Sequence, residues 1–356
     1  MAITPGFDST EAETFIAMCS NLEGAPPPPL QPPPIPDHWT LCYDSQSIGP
    51  FDNRWQLWHD ASGTGNYAVV IRGTVNQTGS IIEDLLAVMV PATGSITLDG
   101  ITLGYQFAAD PLAALHIGFA LGTLITLFDP TAGILAHLVT QVPTGSGVFV
   151  VGHSQGAAMA TLCRSFLNYT SLLSDFGLHY SYKSYAFAQP KPGNDHYGDD
   201  YEAIAGNAAT AFTVNNDQDW VPQVPFTFEL YRDINVPNVL SVLGSHPPPG
   251  VAAVHDAVSR YHQEQASRSL MRQKPVLDRL GRALRDNRLV KPGAAAPAGA
   301  TTGIAIVPSL NFVGCGSAIS LQGTPGDNPD DPTDGWWQHH AALYYLLLQK
   351  QFPAAR

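Results

Sequence analysis

One five-residue segment, Gly152-His153-Ser154-Gln155-Gly156, restricts the possible folds of this chain more than any other feature. The short apolar run 147–152 before it is typical of a buried parallel strand, and the stretch 156–167 after it is rich in Ala, Met and Leu, as in a helix. Glycines two positions on either side of a serine let strand and helix pack closely, so that the serine stands on a sharp turn with its Oγ projecting. The segment therefore predicts a nucleophilic Ser154; an ordinary glycine-rich turn is the alternative.

Other apolar segments extend this pattern into a sheet. The segments 54–59 and 67–72 flank a glycine-rich turn and predict a hairpin, while 185–188 and 211–214 predict two further buried strands. Strands that alternate with helices are typical of an α/β fold with a mainly parallel central sheet flanked by helices. The chain has 356 residues, of which 44% are apolar, and this is enough for a single domain over residues 1–356.

Charge and hydropathy exclude two classes of partner. The chain carries 17 Lys and Arg against 30 Asp and Glu, a net charge of −13, whereas nucleic acid binding needs a basic surface. The first residues lack the basic and apolar regions of a signal peptide. The longest apolar run, 111–128, contains His116 and predicts a buried helix. We therefore expect no nucleic acid partner and no transmembrane segment, while localisation and oligomeric state stay open.

The cysteines indicate neither a metal site nor a redox site. None of the four has C-x-x-C spacing. The apolar helical surroundings of Cys163 indicate a buried thiol, and a disulfide between Cys19 and Cys42 stays open because pairing does not follow from sequence. We expect no metal ion.

A nucleophilic serine needs a histidine base, and the base needs a carboxylate that holds its tautomer. After a turn of this kind, the acid and then the histidine follow the serine along the chain. The acid candidates Asp217 and Asp219 lie in the loop after the apolar strand 211–214. His339 and His340 begin an apolar helix, a rigid platform that favours them over His179, His196, His246, His255 and His262. From the residues alone, the choice within each pair stays open.

Six blocks in a fixed order resemble the class 3 lipase family, the α/β-hydrolases that include fungal triacylglycerol lipases, and the C-terminal block resembles bacterial members. Together they cover residues of about 40–225 and 335–350. None is decisive alone, but jointly they are highly specific. The blocks are 70–74 (strand and oxyanion loop), 116–119 (H-x-G-F), 152–156 (the serine turn), 187–194 (next strand and turn), 219–222 (D-x-V-P) and 337–340 followed by Tyr345 (W-x-x-H…Y).

The resemblance implies residue roles that the spacing leaves open. It selects Asp219 as the catalytic acid and His340 as the base, which complete a triad with Ser154. It implies an oxyanion hole formed by the backbone N–H groups of Thr74 and Gln155. The fold implied is an α/β-hydrolase fold with a helical insertion, and no cofactor is needed.

The activity implied is that of a carboxylester hydrolase, above all a triacylglycerol lipase that works through an acyl-enzyme at a lipid–water interface. Phospholipase A1, feruloyl esterase and short-chain esterase activities stay open, because no acyl-pocket residue is assigned. A non-catalytic lipid-binding protein on the same scaffold is the alternative from another class, and a peptidase of this fold is a third.

Three segments lie outside the family core or vary within it. Residues 1–40 contain a proline-rich stretch, which predicts an extended strap over the domain. Residues 78–91 have an apolar face where family members carry an amphipathic lid, and a fixed buried helix is the alternative. Residues 243–303 form an insertion between the candidate acid and base.

The insertion contains a basic helical segment, 260–291, with nine Lys and Arg against three Asp and Glu. Its leucines fall on one helical face, which is typical of a helix that binds an anionic lipid surface. Packing of the leucines on the domain, with the arginines paired to its acidic surface, is the alternative.

Overall fold

A computed structural model of the chain describes residues 3–49, 52–72, 89–98, 101–225, 307 and 311–353. The expected insertion 243–303, with its basic segment 260–291, lies outside the described residues. So do Thr74 and the part of the expected lid before Met89. The predictions on these segments stay predictions.

Within the described part of the chain, seven strands form the main sheet in the order β1-β2-β3-β8-β9-β11-β13. The first two pairings are antiparallel, and the pairings from β3 to β13 are parallel. This confirms the hairpin and the mainly parallel sheet. The strands are β1 (Trp39–Asp44), β2 (Arg54–Asp60), β3 (Tyr67–Arg72), β8 (Gly147–His153), β9 (Ser181–Phe187), β11 (Ala211–Asn216) and β13 (Ser317–Leu321).

Helices cover both faces of this sheet. Because side chains alternate along each strand, each strand contributes apolar side chains to both faces. Val69 and Val150 contribute to a core on one face, under helices α2 (Ile117–Phe128) and α4 (Gln155–Tyr169). On the other face, the neighbouring valines at 70 and 151 pack under α1 (Ser9–Glu23) and α7 (Ala341–Gln351). Two buried layers of apolar side chains therefore hold the carboxyl end of β8 in place.

The smaller elements lie around this framework. Two further sheets occur in the described residues, one with the order β12-β10-β7-β4 and one formed by β5 and β6. The elements are β4 (Met89–Pro91), β5 (Thr93–Leu98), β6 (Ile101–Gln106), β7 (Ala114–His116), α3 (Ile134–Gln141), α5 (Leu172–Asp175), β10 (Gly193–Asn194), α6 (Asp195–Tyr201), a π-helix (Glu202–Gly206), two 3₁₀ turns (Val221–Gln223 and Trp337–His339) and β12 (Phe312–Val313).

The N-terminal region differs from the expected strap. Asp8 begins helix α1 by accepting hydrogen bonds from the backbone N–H groups of Thr10 (2.8 Å) and Glu11 (3.1 Å). The helix ends at Gly24, whose φ of +110° suits glycine. The proline-rich residues that follow, 25–37, lack helix and strand. The strap is therefore shorter than predicted, and a buried helix precedes it.

The structure describes the apolar run 111–128 and the last residues of the expected lid, 89–91. The run 111–128 contains the short strand β7 and then α2, whose apolar side chains are almost all buried, in agreement with the predicted buried helix. No helix in the described residues is both long enough and apolar enough to cross a membrane. The end of the expected lid, Met89–Pro91, is strand β4, so any lid helix ends before Met89.

The four cysteines are free in the structure. Cys19 is buried on α1, whereas Cys42 is exposed on the edge strand β1. The disulfide between these two residues, which the sequence left open, is therefore absent. Cys163 is buried, as expected from its apolar helical surroundings, and burial raises its pKa to about 12.

Candidate active site

Ser154 stands on a sharp turn between β8 and α4. Its φ of 59° and ψ of −134° lie in a region that non-glycine residues rarely occupy. Its backbone N–H donates to the carbonyl of Phe187 at the end of β9 (3.0 Å). A Cβ at position 152 would collide with the backbone carbonyl of Gly156 and lie 2.8 Å from the nitrogen of Ala157, so glycine is required there. The turn has the strained strand–serine–helix geometry that the sequence predicts.

His339 is the histidine that contacts the serine. Its Nε2 lies 2.8 Å from Ser154 Oγ, and its Nδ1 lies 2.8 Å from Oδ2 of Asp219. Because a carboxylate only accepts hydrogen bonds, Nδ1 carries the proton and Nε2 is left to accept from the serine hydroxyl. The three side chains thus form one hydrogen-bonded series in the order needed to remove the serine proton.

The prediction that His340 is the base is contradicted by this geometry. The Nε2 of His340 donates to Oδ2 of Asp334 at 3.0 Å, in the loop before the 3₁₀ turn. His339 is the last residue of that turn and His340 begins α7, so the two adjacent side chains point to different partners. His340 is therefore hydrogen-bonded to Asp334 rather than to Ser154, and His339 is the candidate base.

The sequence around His339, Trp336-Trp337-Gln338-His339-His340, contains the W-x-x-H motif in two registers, one ending at His339 and one at His340. In the structure the indole of Trp336 lies against His339, with ring centroids 5.5 Å apart. The register with Trp336 and His339 is therefore the one that the fold uses.

The same shift of one residue applies to the tyrosine of that motif. The hydroxyl of Tyr344, not that of Tyr345, donates to Oδ2 of Asp219 (2.8 Å) and accepts from the backbone N–H of Asn216 (3.0 Å). Burial, followed by the charge of Asp219, raises the pKa of Tyr344, so that it stays a donor. Sequence reasoning missed Tyr344 as a residue of the site.

Asp219, rather than Asp217, is the acid that reaches the histidine. Its carboxylate is 1% exposed and also accepts from the backbone N–H of Val221 through Oδ1 (3.0 Å). Asp217 instead accepts from the backbone N–H of Gly323 (2.9 Å) at an exposed position. The described geometry is thus consistent with the choice of Asp219.

His339 lies in a setting that favours its uncharged form. Burial lowers its pKa, the adjacent carboxylate of Asp219 raises it, and the charge of His153 lowers it again, with a net shift below the ordinary value. The rings of His153 and Trp336 both contact this imidazole, with centroids 4.6 Å and 5.5 Å from its own. A neutral, sterically held imidazole is suited to general base chemistry.

The expected oxyanion hole is only partly described. Gln155 is the first residue of α4 and is buried, so its backbone N–H lies at a helix N-terminus beside Ser154. Thr74, the second expected donor, lies outside the described residues. Over the described ranges, no group of three or more His, Cys, Asp or Glu side chains has the arrangement of a metal site.

Comparison with known proteins finds similarity to lipases over part of the chain. Residues 68–229 match the sequence model of the family described as Lipase (class 3). A secreted mono- and diacylglycerol lipase of Malassezia restricta is 40% identical over 77 residues, which are 22% of this chain and 23% of that protein. One from Malassezia globosa is 38% identical over 78 residues. The chain thus matches about a quarter of the length of these curated relatives.

Solved lipase structures resemble the chain at lower identity. The Lip2 lipase of Yarrowia lipolytica is 18% identical, with a TM-score of 0.45, covering 64% of this chain and 78% of that one. A Rhizomucor miehei lipase–propeptide complex is 16% identical, with a TM-score of 0.42, covering 64% of this chain and 68% of that one.

Proposed function

We propose that this chain, whose residues 68–229 match the class 3 lipase family, is a carboxylic ester hydrolase that acts on acylglycerols. The observation that carries the proposal is the hydrogen-bonded series of Ser154, His339 and Asp219, built on a strained strand-to-helix turn. Each side chain has the partner and the direction of donation that acyl transfer needs.

In the proposed reaction, Ser154 Oγ attacks the ester carbonyl carbon while Nε2 of His339 takes the hydroxyl proton. Asp219 stays ionised and stabilises the imidazolium that forms. The negative charge on the carbonyl oxygen is stabilised by backbone N–H groups, for which we propose Gln155 and Thr74. The imidazolium then gives its proton to the leaving alcohol as the C–O bond breaks, which leaves an acyl-serine.

The second half of the reaction uses the same groups. Nε2 of His339 takes a proton from water, whose oxygen attacks the acyl-serine carbonyl. Collapse of the second tetrahedral intermediate releases the carboxylic acid, and the proton on His339 returns to Ser154 Oγ. No cofactor enters these steps.

The finer substrate assignment rests on resemblance. The curated relatives are named as mono- and diacylglycerol lipases, and we propose acylglycerols, triacylglycerols included, as the substrates of this chain. A lipid–water interface is the proposed site of action. Rates on triolein, diolein and monoolein emulsions, and on nitrophenyl esters from acetyl to palmitoyl, distinguish a lipase from a short-chain esterase.

Ser154→Ala tests the assignment of the nucleophile. We expect this variant to lose on the order of 10⁶-fold in turnover on a nitrophenyl ester and to lose labelling by a fluorophosphonate probe, with an unchanged melting temperature. Ser174→Ala, which changes an exposed serine in α5, is the matched control and should behave like wild type. Residual activity of Ser154→Ala within tenfold of wild type contradicts the proposal, and a wild-type protein that is never labelled is a non-catalytic scaffold.

A further inference from the structure

The N-terminal helix brings a carboxylate to the active-site turn. Glu23 is the last residue of α1, and its Oε1 accepts a hydrogen bond from Nδ1 of His153 at 2.6 Å. The helix stops there because Gly24 adopts a positive φ and its N–H returns to the carbonyl of Ser20 (3.2 Å). Two residues separated by 130 positions in the chain are thus joined directly beside Ser154.

His153 contacts both Glu23 and the base, His339. Its ring lies against that of His339, with centroids 4.6 Å apart and planes inclined by 33°. The ring of Tyr344 contacts it at 5.7 Å and 74°. With 3% of its surface exposed, His153 fills the space between α1 and the serine–histidine–aspartate series. Its orientation therefore affects where the imidazole of His339 rests.

Glu23 and His153 shift each other's pKa in opposite directions. Burial raises the pKa of Glu23, but the charge and hydrogen bond of His153 outweigh it, so the net shift is downward. Burial lowers the pKa of His153, but Glu23 outweighs it and the net shift is upward. A carboxylate and an imidazolium at this separation stabilise each other.

We propose that Glu23 and His153 form a positioning pair for the base His339. The pair holds His339 in register with Ser154 and keeps it uncharged in mildly acidic solution. The inference rests on the proposed hydrolase function. Neither residue contacts the reacting atoms in this role. Both act through the ring of His339.

The charges around His339 determine the direction in which its pKa should move when the Glu23 carboxylate is removed. The positive charge of His153 lowers the pKa of His339 more than the negative charge of Glu23 raises it. Removal of the Glu23 carboxylate leaves His153 in a buried site that favours its neutral form, so both charges disappear and the pKa of His339 rises. The other titratable groups around the pair stay in place: Cys19 on α1, Arg72 on β3, Asp219 in its loop, and His340 and Tyr344 on the C-terminal side.

The test compares Glu23→Gln with Glu13→Gln. Both remove a carboxylate from α1, but Glu13 lies beside Gln349 rather than at the active site. With kcat/KM on a soluble nitrophenyl ester measured from about pH 5 to about pH 9, we expect the acid limb of Glu23→Gln to move to higher pH. At about pH 6 its kcat/KM should be about tenfold below wild type, and Glu13→Gln should follow the wild-type profile.

A second variant keeps the outcome clear. Glu23→Gln with His153→Gln replaces the ion pair by two neutral amides and leaves no buried charge alone. It should move the acid limb in the same direction as the single variant. An acid limb that stays in place, or moves to lower pH, in folded Glu23→Gln or in the double variant overturns the inference while the hydrolase assignment stands. A wild-type protein that hydrolyses no ester overturns the proposed function instead.

Discussion

His339 and His340 are consecutive residues with different environments. His339 ends the 3₁₀ turn, is 7% exposed, and joins Asp219 to Ser154. His340 begins α7, where it is half-buried and donates to Asp334. The change from 3₁₀ turn to α-helix at this boundary separates the directions of the two side chains.

Alanine substitution at each histidine tests this difference. We expect His339→Ala to lose nearly as much turnover as Ser154→Ala, because residues that act as one unit give similar, non-additive losses. His340→Ala removes only a partly exposed ion pair, which is typically worth about 1 kcal/mol or less, and should keep kcat/KM within about tenfold of wild type. The measurement is kcat/KM on a soluble ester together with a thermal melt, and the opposite ranking would restore His340 as the base.

The residues of the site differ in how far they could be predicted from the sequence. Ser154 is marked by Gly152, which the turn physically requires, and Asp219 by an acidic loop after a strand. His339 could not be separated from His340, because the doubled motif fits either register and only three-dimensional packing against Trp336 distinguishes them. Glu23 carries no local signal, since its contact with His153 spans 130 residues.

At the scale of elements, the sheet was predictable and the first helix was not. Strands β3 and β8 contain continuous apolar runs, as expected of parallel strands buried on both faces, whereas β9 and β11 also include polar residues. Helix α1 is buried along most of its length, so it lacks the one-sided polar pattern by which surface helices are found. The Asp8 cap with Glu11 three residues later was the available signal.

Helix α1 is held to the sheet by a buried lysine. Lys183 on β9 is 1% exposed, and its Nζ lies 2.6 Å from Oε2 of Glu11 and donates to the carbonyl of Thr4 (3.1 Å). The hydroxyl of Tyr185 donates to the same carboxylate oxygen (2.6 Å). These contacts fix the helix whose last residue reaches the active site.

Lys183→Met should therefore destabilise the protein as a whole. It leaves the partly buried Glu11 carboxylate without its cation, and we expect a loss of about 2–3 kcal/mol in the free energy of unfolding, reduced from the fully buried case because Glu11 keeps some solvent contact. In the double variant with Glu11→Gln the amide oxygen still accepts from Tyr185, and most of the loss should be recovered. Urea unfolding measures both, and strictly additive losses would show that the two side chains are not coupled.

At the scale of the whole molecule, polar contacts connect the N-terminal region and the C-terminal loop to the hydrolase framework. Glu23 on α1 is paired with His153 at the serine turn, and Asp334 in the C-terminal loop is paired with His340. Asn328 in that loop also donates to the carbonyl of Pro28 in the strap (3.1 Å). The strap and the C-terminal loop are thus linked to each other and, through α1 and α7, to the site.

The free energy of unfolding should fall as the solution is acidified, because several carboxylates have a lowered pKa in the folded protein. Burial raises the pKa of Glu23, Asp60 and Asp334. Hydrogen bonds and charges of neighbouring residues outweigh this effect of burial: His153 for Glu23, Ser62 and Thr64 for Asp60, and His340 for Asp334. Because each net shift is downward, these carboxylates stabilise the fold above their ordinary pKa of about 4, and that stability is lost as the pH falls through the lowered values.

The two active-site histidines act in opposite directions at higher pH. The raised pKa of His153 contributes stability that is present below its ordinary value of about 6.5 and is lost as the pH rises through the raised value. The lowered pKa of His339 contributes stability that is present above that value and is lost as the pH falls through the lowered value. Since these contributions oppose each other, we expect a broad plateau near neutral pH and a steep loss only where the carboxylates protonate.

Urea midpoints at about pH 7, about pH 5 and about pH 3.5 test this expectation, since the stability that these carboxylates contribute begins to be lost as the pH falls past their ordinary pKa of about 4. Asp334→Asn removes one of these carboxylates with a lowered pKa, so it should lower the midpoint near neutral pH and make the loss between about pH 5 and about pH 3.5 shallower than in wild type. Asp330→Asn, an exposed position in the same loop, is the control and should keep the wild-type slope. A midpoint that rises on acidification, or an Asp334→Asn protein with the full wild-type loss, would show that these carboxylates do not determine the acid stability of the protein.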